Sequence, residues 1–424
     1  MQKRKKIYLD SLGCPKNLVD SELILYHLTR QKKFTKVDSP RKADVIMVNT
    51  CGFIDKAKEE SINTILEYSR FKNKEIVVIG CLVNRYKNIL KRSIPEVKHY
   101  LTTTEALKQF ADSSHIQKID FSKRFVTTPL SYAYVKIAEG CSRRCAYCMI
   151  PLIRGEFVSR KSDSILKEIN FLAQLGIKEI ILVAHDLLSY GTETGENLID
   201  LLEKIESIEK IYRIRLLYLY PEERLFPLIR SIKGLKKTCP YIEMPLQHVS
   251  RDILSRMQRP LHDYEKWIDR IRSLMPEAAL RTTFILGFPG ETRDHFNQLK
   301  RFIRKIKFNW AGFYEYSDED GTRAYRLSDK VSDNEVSKRM NEVVQAQKEI
   351  TSLWLSKRID QTYHVLVDEI VKEEGIAFTR SELESPDIDG HIIMNIHNDR
   401  VQVGDLLRVR ITESYDYDLQ AEKI

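Results

Sequence analysis

No stretch of this 424-residue sequence approaches the roughly 18 consecutive apolar residues that a membrane span needs, so a transmembrane helix is not among its expected elements. The basic start, "MQKRKKIYLDSLG", has only a few apolar residues before and after Asp10, short of the hydrophobic stretch of a secretory signal. The expected location is therefore cytoplasmic, away from any membrane. Cysteine is scarce, and its count of seven is odd; in a reducing compartment that argues against a disulfide framework and for metal ligands or reactive thiols. A signature of disorder is also lacking, since 42% hydrophobic and 30% charged residues are the proportions of a globular chain. At roughly 100 to 200 residues per domain, the length suggests about three domains.

The net charge of +9 conceals an asymmetry. Residues 360–424 hold 15 acidic and 6 basic side chains, which leaves 45 acidic and 63 basic before them. A basic body thus carries an acidic tail, a pattern of oppositely charged partners or of a solvated acidic face.

The first 125 residues alternate short apolar runs, "KIYLDSLG", "ADVIMVNT" and "EIVVIG", with amphipathic ones such as "NLVDSELILYHLTRQ". That alternation predicts βαβ units and a parallel sheet. From 126 to 358 it becomes more regular. Six strand candidates, "SYAYVKIAEG", "IKEIILVA", "YRIRLLYLY", "YIEMPLQ", "LRTTFILG" and "WAGFYEYS", are each followed by a helix-length segment, predicting a partial (β/α)6 barrel, two units short of the complete eightfold one. A polar helical segment then bridges to 359–424, where "TYHVLVDEI", "GIAFTRS", "GHIIMNI" and "DLLRVRITESYDYDLQ" predict four strands of a small all-β barrel. The fold class is α/β, with domain boundaries at 1–125, 126–358 and 359–424.

Three of the seven cysteines fall within eight residues, "CSRRCAYC", as Cys141, Cys145 and Cys148. Three thiolates from one loop suit an iron-sulfur cluster that keeps one iron open to a small molecule. A zinc site completed by a distant His is the alternative, against which no fourth Cys or His lies nearby in sequence. Cys14, Cys51 and Cys81 each follow the C-terminal end of a predicted parallel strand, at spacings of one βαβ unit. Adjacent strands would bring these thiols to one sheet edge, where open α/β sheets gather ligands. Three separate buried cysteines are the alternative there. Cys239, before Pro240, is read as structural or incidental.

The motif "CSRRCAYC" resembles that of the radical S-adenosylmethionine enzymes. With "SLGCPKNLVDSE", "NTCGFI", "RLLYLYPE", "PLQHVS" and "GTRAY", the whole chain is similar to the methylthiotransferases of that superfamily. The resemblance implies two 4Fe-4S clusters, an auxiliary one on Cys14, Cys51 and Cys81 and a radical-generating one on Cys141, Cys145 and Cys148. S-adenosyl-L-methionine would bind the open iron, and the last module would be a substrate-recognising TRAM barrel. Tyr147 would pack on adenine, and Gly287, Pro289 and Gly290 of "LGFPGE" resemble the family's cofactor-contacting segment. Gln247, Glu243 and Arg256 would position substrate or cofactor. His185 stands where the family's pattern has Gln, and His248 is either a cofactor neighbour or an interior histidine. No side chain is assigned as general acid or base.

The family divides between enzymes acting on an adenosine of transfer RNA and enzymes acting on an aspartate of the twelfth protein of the small ribosomal subunit. "CPKNLVDSE" resembles the second group. Charge argues the same way: a module that clamps RNA should be basic, whereas an acidic one complements a basic ribosomal protein. The expected partners are that ribosomal protein as substrate, ribosomal RNA touched by the basic body, and an electron donor protein. Transfer-RNA methylthiolation, a zinc-bound nucleic-acid-binding protein and a two-cluster electron carrier remain as competing readings.

Overall fold

The computed structural model of the chain describes residues 4–30, 34–111, 120–396 and 400–424. Its first unit is a parallel five-stranded sheet of β1 (Lys5–Ser11), β2 (Phe34–Lys36), β3 (Val45–Thr50), β4 (Glu75–Gly80) and β5 (His99–Leu101), in the order β2-β1-β3-β4-β5. Side chains alternate faces along a strand. Val45 and Met47 accordingly pack under the helices Pro15–Arg30 and Thr103–Ala111, while Ile46 and Val48 pack under Asp55–Ser69 and Cys81–Ser93. In a doubly wound sheet of this order, the crevice opens beyond the carboxyl ends of β1 and β3. The two three-residue strands, β2 and β5, were not predicted.

The second unit begins with β6 (Tyr132–Lys136) and a two-residue hairpin of β7 (Ala138–Glu139) and β8 (Val158–Ser159). It continues with β9 (Glu179–Val183), β10 (Arg213–Leu216), β11 (Tyr241–Glu243), β12 (Ala279–Leu286) and β13 (Trp310–Glu315). β6, β9 and β10 pair in parallel, as do β11, β12 and β13. A parallel bridge between Ile214 and Thr238 and the Leu219 amide on Glu243 O (3.1 Å) link the two halves. The result is the predicted six-stranded partial barrel, with its helices packed outside on the largest core of the molecule. β6 and β13 do not pair with each other, and the first unit spans that gap. Asp20 pairs with Lys136 at the β6 side, and Lys56 with Glu315 (2.9 Å) at the β13 side.

The helix Asp333–Ser356 lies along the barrel, where Gln347 donates to Phe308 O (2.8 Å) and Thr351 to Asn309 O (3.0 Å). It leads to a closed barrel of β14 (Thr362–Val371), β15 (Ile376–Arg380), β16 (Ile392–Asn395), β17 (Leu406–Ser414) and β18 (Leu419–Lys423). One expectation is corrected here: residues 405–420 do not form a single strand. The Tyr415 amide on Asp418 O (2.8 Å) closes a turn, and the last residues leave to pair in parallel with β16, which completes the barrel. No helix among the described residues is long and apolar enough to cross a membrane.

This module caps the amino-terminal ends of the strands of the large barrel. Arg213 donates to Arg380 O and His364 O, Arg215 to Glu382 O, and Trp310 to Leu383 O. Asp387 accepts from the Tyr132 and Tyr134 hydroxyls and Asp389 from Tyr241. Part of the tail's acidity is therefore turned inward onto the barrel floor, away from any outside partner.

Candidate functional site

The opposite end of the barrel faces the first unit across a cavity of about 430 Å³, within the range of roughly 300–1,000 Å³ usual for small-molecule sites. Cys14, Cys51, Cys81, Cys141, Cys145 and Cys148 all line it. The first three follow the adjacent strands β1, β3 and β4. Gly13 (φ +85°) turns the chain after β1, where a Cβ would stand 2.8 Å from Cys51 Cβ. The amides of Asn17 and Leu18 donate to Cys14 O, Ser61 brackets the Cys51 backbone with two hydrogen bonds of 3.0 Å, and Cys81 opens its helix directly after Gly80.

The second triad sits on the loop after β7. There the Cys141 amide donates to Gly155 O (3.1 Å), the Cys148 amide to Cys145 O (3.1 Å) and the Ala146 amide to Met257 O (2.9 Å). Burial pushes the Cys51 and Cys148 thiols up to about 12 and Cys141 to about 11, and it raises Cys81 as well. Ligation by these sulfurs thus has to release protons.

Among the described residues no three His, Cys, Asp or Glu side chains converge on a single metal ion. Thiolates holding a cluster each bind a different iron and need not converge. Donors also point at the sulfurs: Arg154 Nε to Cys81 Sγ at 3.2 Å, Arg259 Nη1 to Cys145 Sγ at 3.8 Å and the Arg143 amide to Cys141 Sγ at 3.4 Å. Arg154 is tied by Asp20 (2.7 Å), and Glu139 holds Lys136 (2.7 Å) in the same buried network. Arg143 is fixed by Asp186 and Glu222, both at 2.7 Å. Arg143 and Arg259 also lie over the Tyr220 ring, 4.0 and 4.2 Å from its centroid.

Tyr147 and Gln247 stand on the cavity wall, as does Glu243. The Gln247 residue has φ +73°, and its Oε1 is buried without a hydrogen-bond partner. His185 also lines the cavity with Nδ1 unpartnered, and burial, followed by the nearby Lys16, drives its pKa well down, so the ring is neutral. Gly287, Pro289 and Gly290 are not among the lining residues. A Cβ on Gly287 (φ +75°) would meet Val336 at 2.3 Å, and one on Gly290 (φ +86°) would meet Arg256 at 2.4 Å. In this structure the two glycines permit close packing. Arg256 pairs with Asp329 (2.7 Å) at the surface. His248 is fully buried, accepts from the Ser250 amide (3.0 Å), and is lowered to about 3 by burial. Cys239 lies in the core between the barrel and the end module.

Lys16, Arg143, Arg154, Tyr218, Tyr220 and Arg259 complete the site, although none was singled out from sequence. Lys16, Arg143 and Arg154 stand within a few residues of a cysteine, and Tyr218 and Tyr220 close the predicted strand "YRIRLLYLY", but Arg259 has no such signal.

The sequence matches three family descriptions: Uncharacterized protein family UPF0004 over residues 6–102, Radical SAM superfamily over 135–303 and TRAM domain over 359–424. Similar curated proteins include the ribosomal protein uS12 methylthiotransferase RimO of Clostridium botulinum, 41% identical over 98% of this chain and 97% of that one. The protein of that name from Aquifex aeolicus is 42% identical over 98% and 96%. Among solved structures, the radical S-adenosylmethionine methyltransferase TsrM of Kitasatospora setae, with cobalamin and a 4Fe-4S cluster bound, superposes with a TM-score of 0.54. It is 13% identical over 74% of this chain and 75% of that one, a likeness of fold.

Proposed function

The chain belongs to the family of ribosomal protein uS12 methylthiotransferases, and from that premise we propose that it replaces a β-hydrogen of an aspartate in that ribosomal protein with a methylthio group. The observation that carries the reading is the single cavity lined by both cysteine triads. A β-carbon hydrogen of aspartate is beyond the reach of any side-chain base near neutral pH, so the chemistry has to come from bound cofactors. Two 4Fe-4S clusters and S-adenosylmethionine, when bound, would supply the one-electron chemistry, a carrier for the transferred sulfur and the methyl group. Their sites fit: each triad offers three thiols with cationic donors aimed at the sulfurs, and Gln247 Oε1 offers an unused acceptor on the same wall.

The chain's own contribution is placement and exclusion. Cys14, Cys51 and Cys81 would hold one cluster, and Cys141, Cys145 and Cys148 the other, so the reacting carbon lies between two walls of one chamber. Tyr147, Tyr218 and Tyr220 make those walls aromatic and keep water from the reacting atoms. Gln247 and Tyr147 orient the small-molecule cofactor. The cytoplasm, where thiols stay reduced, is the compartment this chemistry requires, with a reductant protein as electron source and ribosomal RNA within reach of the basic body.

The test is an anaerobic reaction of the reconstituted protein with S-adenosylmethionine and reductant. A peptide from the ribosomal protein's aspartate loop and unmodified transfer RNA are offered in parallel. A gain of about 46 mass units on the peptide, one methylthio group for one hydrogen, is the expected result; the same gain on the RNA alone overturns the substrate assignment. Iron and labile sulfide present after purification would dispose of the zinc reading.

A further inference from the structure

Among the described residues, two cations of the cavity, Lys16 and Arg259, lack a carboxylate partner, and they stand on different walls. Lys16, two residues after Cys14 in the first turn of Pro15–Arg30, is 3% exposed, and its Nζ rests 3.5 Å from the centroid of the Tyr218 ring. Arg143 and Arg154 are paired with carboxylates, whereas Arg259 is not, and its Nε is buried without a partner. Arg143 has Asp186 and Glu222, Arg154 has Asp20, and Arg259 has Pro245 O and the Cys145 sulfur. Among the described residues Lys16 makes no ion pair, and its contact is the Tyr218 side chain. The carboxylate on the same wall, Glu243, feels Lys16 across space but makes no ion pair with it, and accepts from the Tyr218 backbone amide. Taking an ammonium out of water is costly, and a cation–π contact repays only part of that cost. The backbone is itself strained to provide that contact, since Tyr218 has φ +68° and is held by Glu243 on its amide and by the Leu187 amide on its carbonyl. Such an arrangement calls for an anion from the occupant.

Two occupant anions are available in the proposed reaction, the carboxylate of S-adenosylmethionine and that of the substrate aspartate. Arg143 and Arg259 stand beside the triad of Cys141, Cys145 and Cys148, where the first would bind. Lys16 stands on the opposite wall, with the triad of Cys14, Cys51 and Cys81. Resting on the function proposed above, we infer that Lys16 is a specificity-determining residue whose ammonium, seated on Tyr218, binds the substrate aspartate carboxylate. The pair fixes the carboxylate at one wall and so directs the adjacent β-carbon into the space between the two triads. It also makes the site selective for an acid over its amide, because an asparagine would leave the ammonium buried and unpaired.

The experiment compares the wild type with Lys16→Gln, both reconstituted anaerobically, on substrate peptides carrying Asp or Asn at the target position. Iron, labile sulfide and the electron paramagnetic resonance signals of both clusters are measured on the same samples. The wild type is expected to bind the Asp peptide roughly ten- to a hundredfold tighter than the Asn peptide, the worth of one charge-assisted contact. Lys16→Gln should lose that preference through KM and peptide affinity, with cluster content and spectra unchanged. Unchanged discrimination in the variant would overturn the assignment, as would loss of the auxiliary cluster's iron or signal, which would make Lys16 a support of that cluster. A wild type that modifies only RNA would instead bring down the function and this assignment together, an outcome read before any variant is compared.

Discussion

At the scale of single residues, the site depends on positions where no side chain fits. Gly140 precedes Cys141 with φ +69°, and a Cβ there would lie 2.1 Å from Glu156 O and 2.6 Å from Gly155 O, because the β7–β8 hairpin folds back against it. The contacts are backbone atoms that cannot swing away. Gly140→Ala should therefore pry open the loop that presents Cys141, and iron per chain should fall to about half as the cluster of that triad is lost, with the auxiliary signal kept. Gly176→Ala is the matched control: its φ is +98°, but nothing lies within 4 Å of the added Cβ. It should cost roughly 1 kcal/mol of backbone strain and leave the iron content alone. The six cysteines were legible because they stand in patterns, three in one loop and three at equivalent strand ends. Lys16, Arg154 and Arg259 were not, since nearness to a cysteine, where there is any, does not set one cation apart from the other lysines and arginines among 69; only the fold shows which are buried.

At the scale of elements, strands set in longer apolar runs were readable, even three-residue β11 within "YIEMPLQ", whereas β2 (FTK) and β5 (HYL) stand in polar surroundings with no run to show an alternation. Residues 405–420 read as one strand because the turn at Tyr415–Asp418 contains no glycine or proline, and its two turn-favouring aspartates alternate with tyrosines as polar and apolar faces of a strand would. The "LGFPGE" segment shows how a glycine's purpose can stay hidden. Gly287 lets the end of β12 press on the helix Asp333–Ser356, with Val336 Cγ2 2.3 Å from where a Cβ would stand. Gly287→Ala combines overpacking with positive-φ strain and should destabilise by roughly 2–5 kcal/mol. Adding Val336→Ala removes the clash but not the strain, so the double variant should recover part of the denaturation midpoint that the single one loses. A cofactor contact through Gly287 would show separately, as weakened S-adenosylmethionine binding that Val336→Ala does not restore.

At the scale of the whole molecule, the asymmetry of charge has two destinations that sequence could not separate. Composition shows an acidic end module. Only the fold shows that Asp389 bonds Tyr241, that Asp368 holds Arg380 (2.5 Å), and that Arg380 in turn reaches Glu179 of β9 (3.1 Å) on the barrel floor. Glu179 also binds Arg215 at 2.7 Å, so one carboxylate joins the two units. Burial opposes its ionisation, but the guanidiniums of Arg215 and Arg380 outweigh burial and lower its pKa to about 2. A carboxylate depressed below its unfolded value, roughly 4.3, contributes stability that is fully present above that pH and is lost as pH falls towards 2. Glu179→Gln lacks this titration and leaves two buried guanidiniums short of an anion. At pH 7 it should unfold at distinctly lower denaturant concentration than the wild type. As pH falls from about 5 towards 2, the wild type should lose its advantage and the two midpoints converge. Measured on the protein without iron, where cluster loss in acid does not intrude, a constant gap across that range would mean that Glu179 is not charged in the junction. Convergence would mean that the end module is fastened to the barrel by charge at its floor, so that the cavity at the far end keeps its shape independently of whatever binds the module's outer face.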